Sequence, residues 1–74
     1  MPTVEVFKTN VQTERNAAQL QKVLSASFPG FKFSFDLEDV DNILRVVTVC
    51  KKIEVDRITE IFKNNDLYCE ILNG

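Results

Sequence analysis

The feature that most constrains this fold is a strict alternation of side chains between residues 31 and 37. The run reads FKFSFDL, in which apolar and polar residues alternate at every position. Successive side chains of a strand point to opposite faces, so this period of two predicts a strand with one buried face. The acidic run Asp36 to Asn42 (DLEDVDN) supplies turn residues, and Ile43 to Cys50 (ILRVVTVC) is rich in β-branched residues. Together these runs predict a β-hairpin.

A strand and a helix are predicted before the hairpin. Thr3 to Thr9 (TVEVFKT) has the β-branched and aromatic composition of a strand, and residues 10–12 follow as a loop. Thr13 is the predicted N-cap of the helix, which is predicted to end at the Pro and Gly of residues 28–30. The residues predicted to share its buried side are Ala17, Leu20, Val23, Leu24 and Ser27.

A second helix and a last strand are predicted after the hairpin. Glu54 to Asn64 has helical periodicity, and Asn64-Asn65-Asp66 supplies residues that tolerate a left-handed turn. Leu67 to Leu72 (LYCEIL) reads as a short strand. The predicted fold is therefore α+β, a ferredoxin-like βαββαβ two-layer sandwich with antiparallel sheet order 4-1-3-2 and the helices on one face.

Composition and charge narrow the class of protein. At 74 residues the chain, residues 1–74, is predicted to be a single domain near the lower size limit for folding alone. Its net charge of −2 argues against a nucleic-acid partner, which requires a concentrated basic face. No run approaches the ~20 apolar residues of a membrane span, and MPTVEVFK has no signal-peptide pattern. We therefore expect a cytoplasmic protein without direct membrane insertion. The sequence has no histidine, the commonest general base.

Three stretches of the sequence resemble the heavy-metal-associated domain of copper chaperones and metal transporters. Residues 11–16 (VQTERN) occupy the place of that family's Met-x-Cys-x-x-Cys metal loop, and the following AAQLQKVL has the spacing of its first helix. The stretch FSFDLEDVDNILRVV is similar to the family's hairpin. The resemblance covers nearly the whole chain and implies a single heavy-metal-associated-like domain with the family's fold.

The sequence departs from this family at the positions that carry its metal chemistry. Thr13 and Asn16 stand where the two thiolate ligands are found, and Val11 stands at the Met. Cu(I) is a soft ion that requires thiolates, and a hydroxyl or an amide oxygen does not replace them. The resemblance therefore implies a non-enzymatic binding module with a degenerate metal site and no cofactor.

The two cysteines leave an alternative function open. A heavy-metal transport or tolerance protein could bind Cu(I) weakly, or with a partner, through Cys69 or Cys50. The predicted order places the third and fourth strands roughly 10 Å apart, beyond the ~7 Å Cα separation that a disulfide allows. We therefore expect free thiols, with Cys69 as a small core residue beside Leu67 and Ile71.

Two groups of polar residues can be interpreted either as ligand-binding sites or as structural features. Arg15 and the N–H groups at the helix start are a candidate anion site, which would suit phosphate-ester or acyl-phosphate hydrolysis. The loop has no glycine-rich cradle and no paired acid and base, so an N-cap beside an exposed Arg is the simpler interpretation. Glu38, Asp39 and Asp41 suggest Ca²⁺, but they lack EF-hand spacing and are typical of a solvated turn.

One face of the predicted sheet is left without a covering layer. The strand residues predicted to face the helices are Phe7, Phe33, Phe35, Leu44, Val46, Leu67 and Cys69. The opposite face then carries Tyr68 and an apolar group formed by Val4, Val6, Val47, Val49 and Leu72. An apolar patch on an uncovered face is typical of a contact surface, so we expect a protein partner or a homodimer. RNA binding would need the aromatic residues on this face, where they are not predicted.

Overall fold

The computed structural model describes residues 2–49 and 52–72. Those residues form two helices and a four-stranded antiparallel sheet, so the fold is α+β. In chain order the elements are β1 (Pro2–Thr9), α1 (Glu14–Ser27), β2 (Lys32–Asp36), β3 (Ile43–Val49), α2 (Val55–Asn64) and β4 (Cys69–Ile71). The predicted succession of strands and helices is confirmed. β4 is shorter than predicted, and Cys50, predicted to end the third strand, lies outside the described residues.

The strands lie in the order β2-β3-β1-β4, which fits the predicted order 4-1-3-2 read from the other edge. β1 and β3 are the central pair, with Val4 opposite Val47 and Phe7 opposite Leu44. β2 adds to the outer side of β3 and β4 to the outer side of β1, in both cases antiparallel. The sheet is therefore widest around Phe7 and narrower at the start of β1.

One face of the sheet and both helices share an apolar cluster. The sheet contributes alternate residues of its strands, namely Phe7, Phe33, Leu44, Val46 and Cys69. The helices contribute Ala17, Leu20, Leu24, Ile58 and Phe62. The prediction for Val23 was wrong, because its side chain is 37% exposed. Val23 lies about 100° around the helix from Leu24, at the border of the buried side.

Local hydrogen bonds explain where the helices begin and end. The Thr13 hydroxyl accepts the Asn16 N–H at 3.1 Å, so the predicted N-cap of α1 is confirmed. At the end of α2, Asp66 has a φ of 57°, and the N–H of Leu67 donates to the carbonyl of Phe62 at 2.8 Å. This is the Schellman arrangement, which satisfies carbonyls of the last turn. It also keeps Leu67 out of β4, where the sequence had predicted it.

The hairpin turn is held by side chains as well as by the backbone. The carboxylate of Asp36 accepts the N–H of Glu38, and that of Asp39 accepts the N–H of Asp41. Thr9, at the end of β1, donates its backbone N–H to the Asp41 carbonyl at 3.0 Å. The predicted turn over residues 36–42 is therefore confirmed, and it is attached to the central strand.

Candidate functional site

The loop between β1 and α1 is anchored in the core. Val11 is fully buried, and its N–H donates to the hydroxyl of Thr9 at 3.1 Å. Two residues later Thr13 is exposed and caps the helix through the N–H of Asn16. The structure therefore brings Thr13 and Asn16 together, and the contact between them is the helix cap, in which the Thr13 hydroxyl accepts the backbone N–H of Asn16.

Arg15 lies on the outer surface of α1. Its side chain is exposed, and it makes no ion pair or hydrogen bond with residues 2–49 or 52–72. Its surroundings are Ala18, Gln19 and Lys22 on the same helix, and this surface is open to solvent. Arg15 therefore has the surroundings of an exposed side chain on a helix.

Cys69 is part of the core. Its side chain is 6% exposed, it lies opposite Thr9 on β1, and Leu67 and Ile71 pack against the same apolar cluster. Burial raises the pKa of the Cys69 thiol to about 12, so almost no thiolate is present at neutral pH. The prediction that Cys69 is a small core residue is confirmed, and Cys50 lies outside the described residues.

The acidic turn does not gather its carboxylates around one point. Among residues 2–49 and 52–72, no group of three or more His, Cys, Asp or Glu side chains could hold a metal ion. Asp39 uses an oxygen for the N–H of Asp41, and Asp41 lies 3.9 Å from the ammonium of Lys8. Glu38 is exposed. The carboxylates act as turn-forming and solvated groups in this arrangement.

The apolar side chains predicted for the uncovered sheet face do come together. Val4 lies directly opposite Val47, Val49 lies opposite Pro2, and the N–H of Leu72 donates to the carbonyl of Val6 at 2.9 Å. Side chains of paired residues point to the same face, and this face is opposite to the one that carries Phe7, Leu44 and Val46 of the apolar cluster. We call Val4, Val6, Val47, Val49 and Leu72 the open-face patch.

The open-face patch is accessible and has a basic border. Val4 is 49% exposed and Val49 62% exposed, whereas Val6, Val47 and Leu72 are half-buried by their neighbours. Arg45 lies opposite Val6, and Lys32 lies opposite Val47. The sequence interpretation did not include these two cations, although the alternation of Arg45, Val47 and Val49 in ILRVVTV contains the signal.

A contact that the sequence did not predict joins the end of α1 to the start of α2. The guanidinium of Arg57 lies 4.7 Å from the centre of the Phe28 ring, and its Nη1 is 3.1 Å from a carboxylate oxygen of Glu54. A cation over an aromatic face is favourable, and the exposed ion pair adds little. The contact is between residues 29 positions apart, so helical periodicity alone did not indicate it.

Comparisons with known proteins do not extend this description. No protein-family model, no curated protein and no solved structure matches the chain. In residues 2–49 and 52–72, neither helix is long and apolar enough to cross a bilayer. What the fold and the surface define is an α+β domain with an exposed apolar patch on one sheet face.

Proposed function

We propose that this chain is a non-enzymatic protein-binding module that acts through the open-face patch. Its scaffold is the ferredoxin-like two-layer sandwich of the heavy-metal-associated domains that the sequence resembles. In this proposal the metal loop has lost its ligands at Thr13 and Asn16, and the sheet face has the binding role. The occupant of the patch is a second copy of the chain.

The observation that carries this proposal is the direct pairing of Val4 with Val47 on the sheet face opposite to the apolar cluster that the strands share with α1 and α2. With Val49 at 62% exposure beside them, apolar side chains of two central strands form one continuous surface. Such surfaces are uncommon on monomers unless a partner covers them. Burial of apolar area against a second sheet would supply the free energy of association.

The state of the candidate ligands supports binding to protein over binding to metal. Thr13 and Asn16 carry an oxygen and an amide where soft Cu(I) requires thiolates, and the hydroxyl of Thr13 is occupied by the helix cap. Cys69 is buried, with a pKa raised to about 12, so it is a poor source of thiolate. The alternative, Cu(I) handling through Cys69 or Cys50, requires the core around Cys69 to open or Cys50 to act with a partner.

The solution mass tests the proposal. We expect sedimentation equilibrium of the wild type to show a mass approaching about 17 kDa as concentration rises, twice the 8.5 kDa of one chain. Val49→Asp and Val47→Asp place a charge in the patch and should weaken the dimer by about ten-fold or more. Gln19→Glu makes the same change of charge on the exposed side of α1 and should leave the mass curve unchanged. A wild type that stays monomeric up to about 1 mM would reject self-association.

A Cu(I) titration separates the two functions. In competition with a chromogenic chelator, we expect the wild type to take up no Cu(I), and Cys69→Ser to behave identically. Sub-micromolar binding that is lost in Cys69→Ser or in Cys50→Ser would reject the proposal and favour a metal-handling protein.

A further inference from the structure

The free edge of β2 presents backbone hydrogen-bonding groups. β2 is a terminal strand of the sheet, and within residues 2–49 and 52–72 it pairs with β3 alone. The bond from Leu72 N–H to Val6 C=O shows that even-numbered residues of β1 point their backbone groups toward β4. The backbone groups of the odd-numbered residues of β1 therefore point toward β3. The bond from the Thr9 N–H to the carbonyl of Asp41, which precedes β3, is consistent with this direction.

The same alternation can be followed across the sheet to β2. Because odd residues of β1 bond to Leu44 and Val46, the backbone groups of Arg45 and Val47 point toward β2. There they meet Ser34 and Lys32, which leaves the backbone groups of Phe33 and Phe35 on the outer edge. An independent contact agrees, since the Gln21 amide of α1 donates to the Phe33 carbonyl at 2.9 Å.

Most of these edge groups are unpaired. Gln21 satisfies the carbonyl of Phe33. The N–H groups of Phe33 and Phe35 and the carbonyl of Phe35 have no hydrogen-bond partner among residues 2–49 and 52–72. An edge of this kind is a template for an additional strand.

A groove of about 400 Å³ runs beside this edge, between β2 and the first half of α1. Its apolar part is formed by the half-buried Phe35 and Leu37, and the exposed Ala18 on α1 is small enough to leave it open. Glu14, Asp36 and Glu38 also line the groove, and no basic residue does. None of these three carboxylates has an ion pair with the described residues.

We propose that the β2 edge and this groove bind an extended, basic segment of a partner protein by strand addition. Backbone groups of the segment pair antiparallel with the free groups of Phe33 and Phe35, and every second side chain of the segment faces the groove. Among these groove-facing side chains, an apolar one packs on Phe35 and Leu37, and Lys or Arg meets the three carboxylates. The negative lining selects a basic segment over an acidic one. This site lies at the outer edge of β2, whereas the open-face patch lies on a face formed by β1, β3 and Leu72, so this proposal does not depend on the proposed function.

A suitable probe is a synthetic peptide of about nine residues with Thr at every odd position and Val and Lys in turn at the even positions, so that one face of the extended peptide carries both Val and Lys. Added to the ¹⁵N-labelled chain, it should shift the amide resonances of Phe33, Phe35 and Ala18 and slow hydrogen exchange at Phe33 and Phe35. In antiparallel strand addition, the peptide residues that bond to Phe33 and Phe35 have their side chains on the groove side. N-methylation of the Val and Lys residues should therefore abolish binding, whereas N-methylation of the Thr residues should preserve it.

Variants of the chain locate the site. Ala18→Arg narrows the groove and adds a like charge, so it should raise the dissociation constant about ten-fold or more. Gln19→Arg makes the same change of charge one position away, outside the groove, and should alter it less than about two-fold. Val47→Asp, which tests the open-face patch, should also leave peptide binding intact, so the two proposals can fail separately.

Several results would overturn the inference. Equal binding of the two N-methylated peptides would exclude strand addition, and equal binding of a peptide with Glu in place of each Lys would exclude charge selection. Shifts confined to Val4, Val6 and Val47 would place the peptide on the open face. An absence of saturable shifts at about 1 mM peptide would leave no site at β2.

Discussion

Replacement by Val should have opposite effects on the free energy of unfolding at two buried threonines. Thr48 on β3 is 1% exposed, and its hydroxyl has no hydrogen-bond partner among residues 2–49 and 52–72. Thr9 on β1 is also buried, but its hydroxyl donates to the carbonyl of Asn42 and accepts the N–H of Val11. Replacement by Val keeps the shape of either side chain and removes only the hydroxyl. The pair therefore isolates the effect of hydrogen bonding.

The size of each change in the free energy of unfolding follows from whether the hydroxyl has hydrogen-bond partners. A buried hydroxyl without a partner costs about 1–3 kcal/mol, so Thr48→Val should raise the free energy of unfolding by about 1–2 kcal/mol. For a domain of this size, each 1 kcal/mol raises Tm by about 4–8 °C. Thr9→Val leaves the Asn42 carbonyl and the Val11 N–H unpaired. It should lower the free energy of unfolding by about 1–3 kcal/mol.

Urea unfolding followed by circular dichroism measures both effects. The slope of the free energy against urea should be the same in the wild type and both variants, so that only the midpoints move. Thr48→Ser is a useful control, because it keeps the hydroxyl and loses the methyl group, and it should be less stable than the wild type. A Thr48→Val variant that is equally or less stable than the wild type would show that its hydroxyl is satisfied in solution.

Two further predictions concern the loop and the buried thiol. Thr13→Ala removes the acceptor for the Asn16 N–H and should lower the free energy of unfolding by about 1 kcal/mol. Thr13→Ser keeps a hydroxyl and should retain most of the wild-type stability. Equal urea midpoints for the wild type and Thr13→Ala would contradict a stabilising role of the cap. The pKa of Cys69 rises from 9.0 to about 12 on folding, so the unfolded chain loses this proton first, and the free energy of unfolding should decline as pH rises from about 9 toward 12. This decline should be reduced in Cys69→Ala, and a native wild type that reacts with iodoacetamide as fast as the urea-unfolded chain would contradict the burial of the thiol.

Features that depend on neighbouring residues could be predicted from the sequence. The alternation in FKFSFDL indicated β2 and its buried Phe33, because a strand fixes which side chains share a face. Thr13 indicated the start of α1, and Asp66 indicated the left-handed turn after α2, because both residues act within one turn of the chain. The open-face patch was also predictable, since it needed only these periods and the antiparallel directions of β1 and β3.

Features that depend on the relative position of distant elements could not be predicted in the same way. Val23 has helical spacing with the core, but it lies at the border of the buried side of α1 and is exposed. The missing partner of the Thr48 hydroxyl depends on which groups the helices place above β3. The groove at β2 depends on the distance between that strand and Ala18, which the hydrophobic pattern does not give.

The loop between β1 and α1 can keep its shape without a metal. Val11 is held by burial in the core and by its bond to Thr9, and the helix start is held by Thr13. Each of these interactions uses groups of the chain itself, so none of the stability of the loop has to come from metal–ligand bonds. Under the proposed function, the absence of two thiolates at Thr13 and Asn16 therefore costs the loop none of its own stabilising interactions. The proposed binding role of the sheet face needs no metal in this loop.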